Sequence, residues 1–333
     1  MIRTSCYLWQ RLPKGRPVNA PTEQSTLHST TVGVVTGAGY GLGAACARQL
    51  VDHVETLLLT DRDPHAAAAV ARELVNDAGV DAVPFTLDFT DRKDLAHLVA
   101  RIGDLGTLRA VAHADACSPT SADWRQILTV DLVATARLSA ALRPLADNGS
   151  AMVVLAGMSS MPSPDTSDAA EPTVLDDPLA QQFLHRLREA LGPDIEDPAT
   201  ARTWAKRGLE RLVRRESVRL GSVGARICSV STDNIDRSPV RSETAEHSCI
   251  DRIVQRRGHD AEIAAVVAFA LSEQASFLNG IDLLVDGGAS AAAAARAAGD
   301  FGPLRAAATT VAANRATAAY ATCAANQISA FSA

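Results

Sequence analysis

The chain has 333 residues, 47% hydrophobic and 21% charged, with a net charge of −6. That is enough apolar material to cover both faces of a parallel sheet, and the acidic balance lacks the positive field that draws proteins to nucleic acid or anionic membrane. Six cysteines lie far apart with no CxxC pair, which argues against a disulfide framework or a thiolate metal site and fits a reducing cytoplasm.

Residues 1–30 scatter Arg3, Arg11, Lys14 and Arg16 among prolines and polar residues. They read as a disordered extension, with an organelle-targeting segment as the alternative, and no run anywhere approaches the ~18 apolar residues of a membrane span. From residue 31 short β-branched runs alternate with helical patterns. Strands are predicted at 31–35, 56–60, 82–87, 108–112, 152–156, 225–231 and 281–285. Strand and helix in alternation imply a single α/β domain over 31–288, a Rossmann-like, doubly wound parallel sheet of about seven strands. An insertion at 158–200, rich in Pro, Asp and Ser, interrupts the rhythm and carries a short amphipathic helix at about 179–191, in the manner of a lid. Residues 289–333 form an Ala-rich, low-complexity tail without an apolar stripe.

The first strand runs directly into Thr36-Gly37-Ala38-Gly39-Tyr40-Gly41-Leu42-Gly43, and a helix follows. Glycines between strand and helix let backbone approach a pyrophosphate, and the unpaired amides and dipole of the helix start favour its charge. Dinucleotide binding is therefore expected at Gly37, Gly41, Leu42 and Gly43. Asp61 ends the second strand about 20 residues on, where a carboxylate accepts ribose hydroxyls and repels a 2′-phosphate. NAD(H) is thus the expected cofactor. Neighbouring Arg62 leaves NADP(H) open, and an ordinary loop acid is the bland reading of Asp61.

The TGxxxGxG spacing at Gly37, Gly41 and Gly43, and the Val285-Asp286-Gly287-Gly288 ending of the last strand, resemble the short-chain dehydrogenase/reductase family over residues 31–288. The resemblance places Asp88 near an adenine ring, a helix cap being the alternative. It implies hydride transfer between a nicotinamide and an alcohol or ketone, with a tyrosine passing the proton, a lysine four residues on, a serine after the fifth strand and an asparagine in an earlier helix. Lys206 matches the lysine, with a contact to the ribose implied. Arg202 stands at the tyrosine position, Gly157 at the serine position and Asp131 at the asparagine position. Ser159 and Ser160 lie close to the serine position but shifted. The family's NNAG reads His113-Ala114-Asp115-Ala116, and its Pro-Gly after the sixth strand reads Thr232-Asp233. His113 is a cofactor-side candidate whose alternative is a neutral core histidine.

A guanidinium remains protonated at any working pH and cannot shuttle a proton. Two functional readings follow, beside a third in which the chain is a drifting copy under no functional demand, with poor folding and no cofactor affinity. One is a cofactor-binding protein with lost or strongly reduced activity, a pseudoenzyme or a partner subunit that assembles as a homo- or hetero-oligomer through the helices around Asp131 and Lys206. The other is an oxidoreductase of a hydrophobic alcohol or ketone that uses Arg202 to polarise the oxygen. Neither involves a metal, a nucleic acid or a membrane.

Overall fold

The computed structural model of the protein describes residues 30–115, 122–157, 172–232 and 256–297. Seven strands form one parallel sheet: β1 (Thr31–Thr36), β2 (Thr56–Asp61), β3 (Asp81–Thr86), β4 (Thr107–His113), β5 (Ala151–Gly157), β6 (Arg226–Thr232) and β7 (Asp282–Val285). Their order is β3-β2-β1-β4-β5-β6-β7. The chain therefore starts in the middle of the sheet, winds outward through β3, and crosses back over β1 to build the other half. Central strands are apolar along their length, with Val32, Val34, Val35 and Leu57, Leu58, Leu59 fully inaccessible, because helices cover both faces. Pro84 lies in β3, which pairs only with β2; a residue without an N–H is tolerated on such an edge.

Alternation along each strand sends successive residues to opposite faces. Val35, Leu57, Leu59, Val153 and Val230 meet one layer of helices, α1 (Gly41–Gln49), α2 (Pro64–Ala78) and α8 (Asp260–Leu271). Val32, Val34, Leu58, Val111 and Val154 meet the other, formed by α3 (Arg92–Leu105), α4 (Trp124–Ile127), α5 (Thr135–Leu142) and α7 (Pro198–Gly221). Between α4 and α5 the helix continues as a π-helical stretch, Leu128–Ala134. Local chemistry sets the helix ends. Asp63 accepts from the amides of His65 and Ala66 with Pro64 in the first turn of α2, which closes at left-handed Gly79; Asp197 does the same for Thr200 ahead of Pro198 in α7.

The described part of the insertion is packed rather than loose. Leu175, Phe183, Leu187 and Ile195 are buried in the same cluster as the sheet, and Asp176 pairs with Arg211 of α7 at 2.7 Å. Its helix, α6 (Phe183–Leu191), starts four residues later than predicted. The preceding residues form successive turns, Ala180 to Asp177 and Phe183 to Ala180, and Gln182 takes a left-handed φ of 61°, which breaks helical continuity. Beyond β7, Ala289–Ala297 form α9. The Asp286 carboxylate accepts from the amides of Gly288 and Ser290, each at 2.8 Å, and Ala292 is buried. Among the described side chains of this helix Ala292 is the buried one. The 1–29 extension and the tail beyond 297 lie outside the described residues. Among those described, no helix is long and apolar enough to cross a membrane.

Candidate cofactor-binding and active site

The glycine loop folds back on itself where β1 meets α1. Gly37 and Gly41 take left-handed φ values of 62° and 50°. A Cβ on Gly43 would stand 1.9 Å from the Gly37 carbonyl oxygen, and one on Gly39 would stand 2.6 Å from the Ala66 Cβ. Both are closer than a methyl permits, so backbone alone fits here. No side chain caps α1, which leaves its first amides open to an anion.

Asp61 is built into this loop. One carboxylate oxygen accepts from the Gly39 amide and the other from the Asp63 amide, each at 2.9 Å, and each oxygen retains a further lone pair for a hydroxyl. The Tyr40 phenol donates to Asp63 at 2.9 Å, a bond that lowers the Asp63 carboxyl and raises the phenol. Arg62 pairs with Asp88 at 3.2 Å and lies over the Phe89 ring at 5.9 Å. Burial works to raise the Asp88 carboxyl, but the Thr90 hydroxyl and amide, at 2.6 and 2.9 Å, together with Arg62, hold it below its ordinary value. The cap of α3 is Asp91, not Asp88.

His113, the last residue of β4, is buried to 1% exposure. Its Nδ1 lies 2.7 Å from the Thr36 hydroxyl and its Nε2 3.0 Å from the Thr135 hydroxyl. Thr135 donates its proton to the Asp131 carbonyl at 2.9 Å, so it accepts from His113. This assigns the proton to Nε2 and makes Thr36 the donor at Nδ1. Burial pulls the imidazole down to about 4. The neutral ring, braced edge-on by Phe89 at 5.0 Å, thus joins the residue before the glycine loop to the π-helical stretch that carries Asp131. Sequence reasoning missed Thr36, Thr135 and Phe89. The i, i+4 spacing of Asp131 and Thr135 was the available signal.

On α7, Arg202 and Lys206 lie one turn apart, both partly exposed, while Ala201, Ala205, Leu209, Leu212 and Val213 are buried. A Cβ on Gly208 would stand 2.4 Å from the Leu132 Cδ2. The Asp131 and Lys206 helices therefore meet with no room for a methyl. Gly157 ends β5 in register with Thr232 of β6. Tyr40, on the glycine loop and bound to Asp63, is the tyrosine among the described residues; Tyr7, Tyr320, Ser159, Ser160, Ala116 and Asp233 lie outside them.

The glycine loop and the strand-end carboxylates stand beside the point where strand order reverses, the place where doubly wound sheets bind dinucleotides. Residues 31–167 match the family model for short chain dehydrogenase, and residues 195–290 match one described as enoyl-(acyl carrier protein) reductase. The chain belongs to the short-chain dehydrogenase/reductase family, whose members bind nicotinamide cofactors. Among its relatives are a cis-4-hydroxycyclohexanecarboxylate dehydrogenase of Sinomonas cyclohexanicum, 29% identical over 77% of this chain and 95% of that one. A galactitol 2-dehydrogenase of Cereibacter sphaeroides is 28% identical over 76% and 92%. In fold, a short-chain dehydrogenase/reductase from Serratia marcescens superposes with a TM-score of 0.62 at 20% identity, covering 78% of this chain and 98% of that one.

Proposed function

We propose that this protein binds NAD(H) and has lost, or retains only weakly, the dehydrogenase activity of its family. The observation that carries the reading is Arg202 on α7, one turn before Lys206, where the family's pattern asks for a tyrosine. A permanently charged guanidinium stabilises an oxyanion but gives up no proton. Gly157 in place of a serine removes the second group that would orient a substrate oxygen, and Ser159 is the nearest hydroxyl in sequence.

The cofactor half of the reading rests on the loop. Backbone crowds the space at Gly37 and Gly43, Gly41 and Leu42 complete the turn into α1, and Asp61 is fixed beside them with lone pairs to spare for ribose hydroxyls. Arg62, the cation that would welcome a 2′-phosphate, is engaged by Asp88, which favours NADH over NADPH. Lys206 supplies the remaining ribose contact, and His113 holds the loop from behind. When bound, the nicotinamide supplies the hydride chemistry; the chain positions it and excludes water. A cytoplasmic setting completes the picture, with Cys46 and Cys228 as free buried thiols.

A second reading keeps turnover, with Arg202 polarising the oxygen of an alcohol or ketone and a water relay through Lys206 or Asp131 moving the proton. The shared face of Arg202 and Lys206 favours it, as do the alcohol-oxidising names of the relatives. Titration of the full-length protein with NADH and NADPH, followed by a panel of secondary alcohols and ketones, separates the two. Micromolar NADH binding, weaker NADPH binding and turnover ~10²- to 10⁴-fold below that of an enzyme with an intact acid/base are expected. Brisk turnover by the unaltered protein sinks the first reading. Unchanged kinetics in Arg202→Ala sinks the second.

A further inference from the structure

A second cleft, of about 460 Å³, lies between the outer face of the α4–α5 helix and the segment leading into α6. None of its lining residues belongs to the glycine loop or to a strand end. Trp124, Arg125, Arg137, Phe183, His185 and Arg188 contribute to its walls, and among the described residues no carboxylate does. Such a lining is unusual for a chain with a net charge of −6.

Two of the cationic groups are answered from outside the cleft, Arg188 by Glu196 and His185 by Glu189 at 3.3 Å. Arg125 and Arg137 have no carboxylate partner among the described residues. The Arg125 guanidinium lies 4.3 Å over the buried Trp124 ring, which fixes its plane. Arg137 reaches only the Thr90 carbonyl, at 3.4 Å, and its Nε is buried with no acceptor. Burial, with Arg92 as a like-charged neighbour, pulls its pKa down. A partly buried guanidinium that no carboxylate answers is costly, and an anion in the cleft would offset its charge. The volume falls within the range of small-molecule sites, and Trp124, Val133 and Phe183 offer apolar surface beside the guanidinium groups. Arginine forks match the planar, two-oxygen geometry of a carboxylate.

We propose that this cleft binds a small carboxylate with an aromatic or other flat apolar body, its charge held by Arg125 and Arg137, independently of the nicotinamide cofactor. The test uses the full-length protein and calorimetric titration with 2-naphthoate, its uncharged isostere 2-naphthamide, and NADH. Saturable 2-naphthoate binding is expected, at least tenfold tighter than the amide. Arg125→Ala and Arg137→Gln should each weaken it about tenfold or more while leaving NADH affinity unchanged. Arg125 is exposed in the first turn of α4, so its variant decides the matter even if Arg137→Gln fails to fold. Absence of saturable binding into the millimolar range, equal affinity for acid and amide, indifference to Arg125→Ala, or displacement of 2-naphthoate by NADH would each overturn the proposal.

Discussion

Burial keeps the His113 imidazole neutral, and that has a measurable sign. Its folded pKa, about 4, lies below the ~6.5 of an unfolded histidine. The stabilisation is therefore fully present above about pH 6.5 and is lost as pH falls towards 4, because the unfolded chain takes up the proton first. The span corresponds to roughly 3 kcal/mol at most. Denaturant midpoints of the wild type should fall across this window, and His113→Asn, less stable at neutral pH, should flatten that part of the profile. An unaltered slope in the variant would assign the effect to another group. At the glycine loop the constraint is steric. Gly43→Ala drives a methyl into the Gly37 carbonyl, so NADH affinity should fall by at least tenfold while the far-UV circular dichroism is retained. Unchanged affinity would mean that the loop does not cradle the pyrophosphate. The glycines and Asp61 were legible in the sequence because their spacing is local. The Thr36–His113–Thr135 chain was not, since it joins residues 22 and 77 positions apart that only strand register and helix packing bring together.

At the scale of elements, the strands were legible to within about a residue, because apolar runs between turn residues carry their own boundaries. The π-helical stretch at Leu128–Ala134 was not, since its apolar residues continue the pattern of an ordinary helix. What distinguishes it is its neighbour. Leu132, fully buried, faces Gly208 at a distance that leaves no space for a side chain. Gly208→Ala should therefore cost about 1–3 kcal/mol by overpacking, although alanine is the better helix former by roughly 1 kcal/mol. Chemical denaturation measures the balance, and a neutral or stabilising outcome would show that Leu132 yields freely. The helix of the insertion and α9 were misjudged for opposite reasons. Gln182 adopts a left-handed conformation that residue type did not announce. Asp286 caps a helix that lacks the apolar stripe periodicity looks for, with Ala292 as its buried residue.

For the whole molecule, the strand order places the C-terminal ends of β1, β2 and β4 side by side, so the proposed cofactor site draws on residues from three separate βα units. A ligand held by that many elements binds the native state and not the unfolded chain, and so stabilises by mass action, roughly 2.7 kcal/mol at a hundredfold excess over Kd. For a domain of this size each kcal/mol raises Tm by about 2–4 °C, so NADH at that concentration should raise it by about 5–10 °C, and NADPH at the same concentration by less. Asp61→Ala removes the carboxylate that would accept the ribose hydroxyls and repel a 2′-phosphate. The NADH shift should shrink while the NADPH shift holds or grows. The comparison reads binding without requiring turnover, so it is independent of the role proposed for Arg202. Equal shifts from the two nucleotides in the wild type would move cofactor selection away from Asp61 and towards Arg62, whose pairing with Asp88 at the exposed rim would then have to open to receive a phosphate.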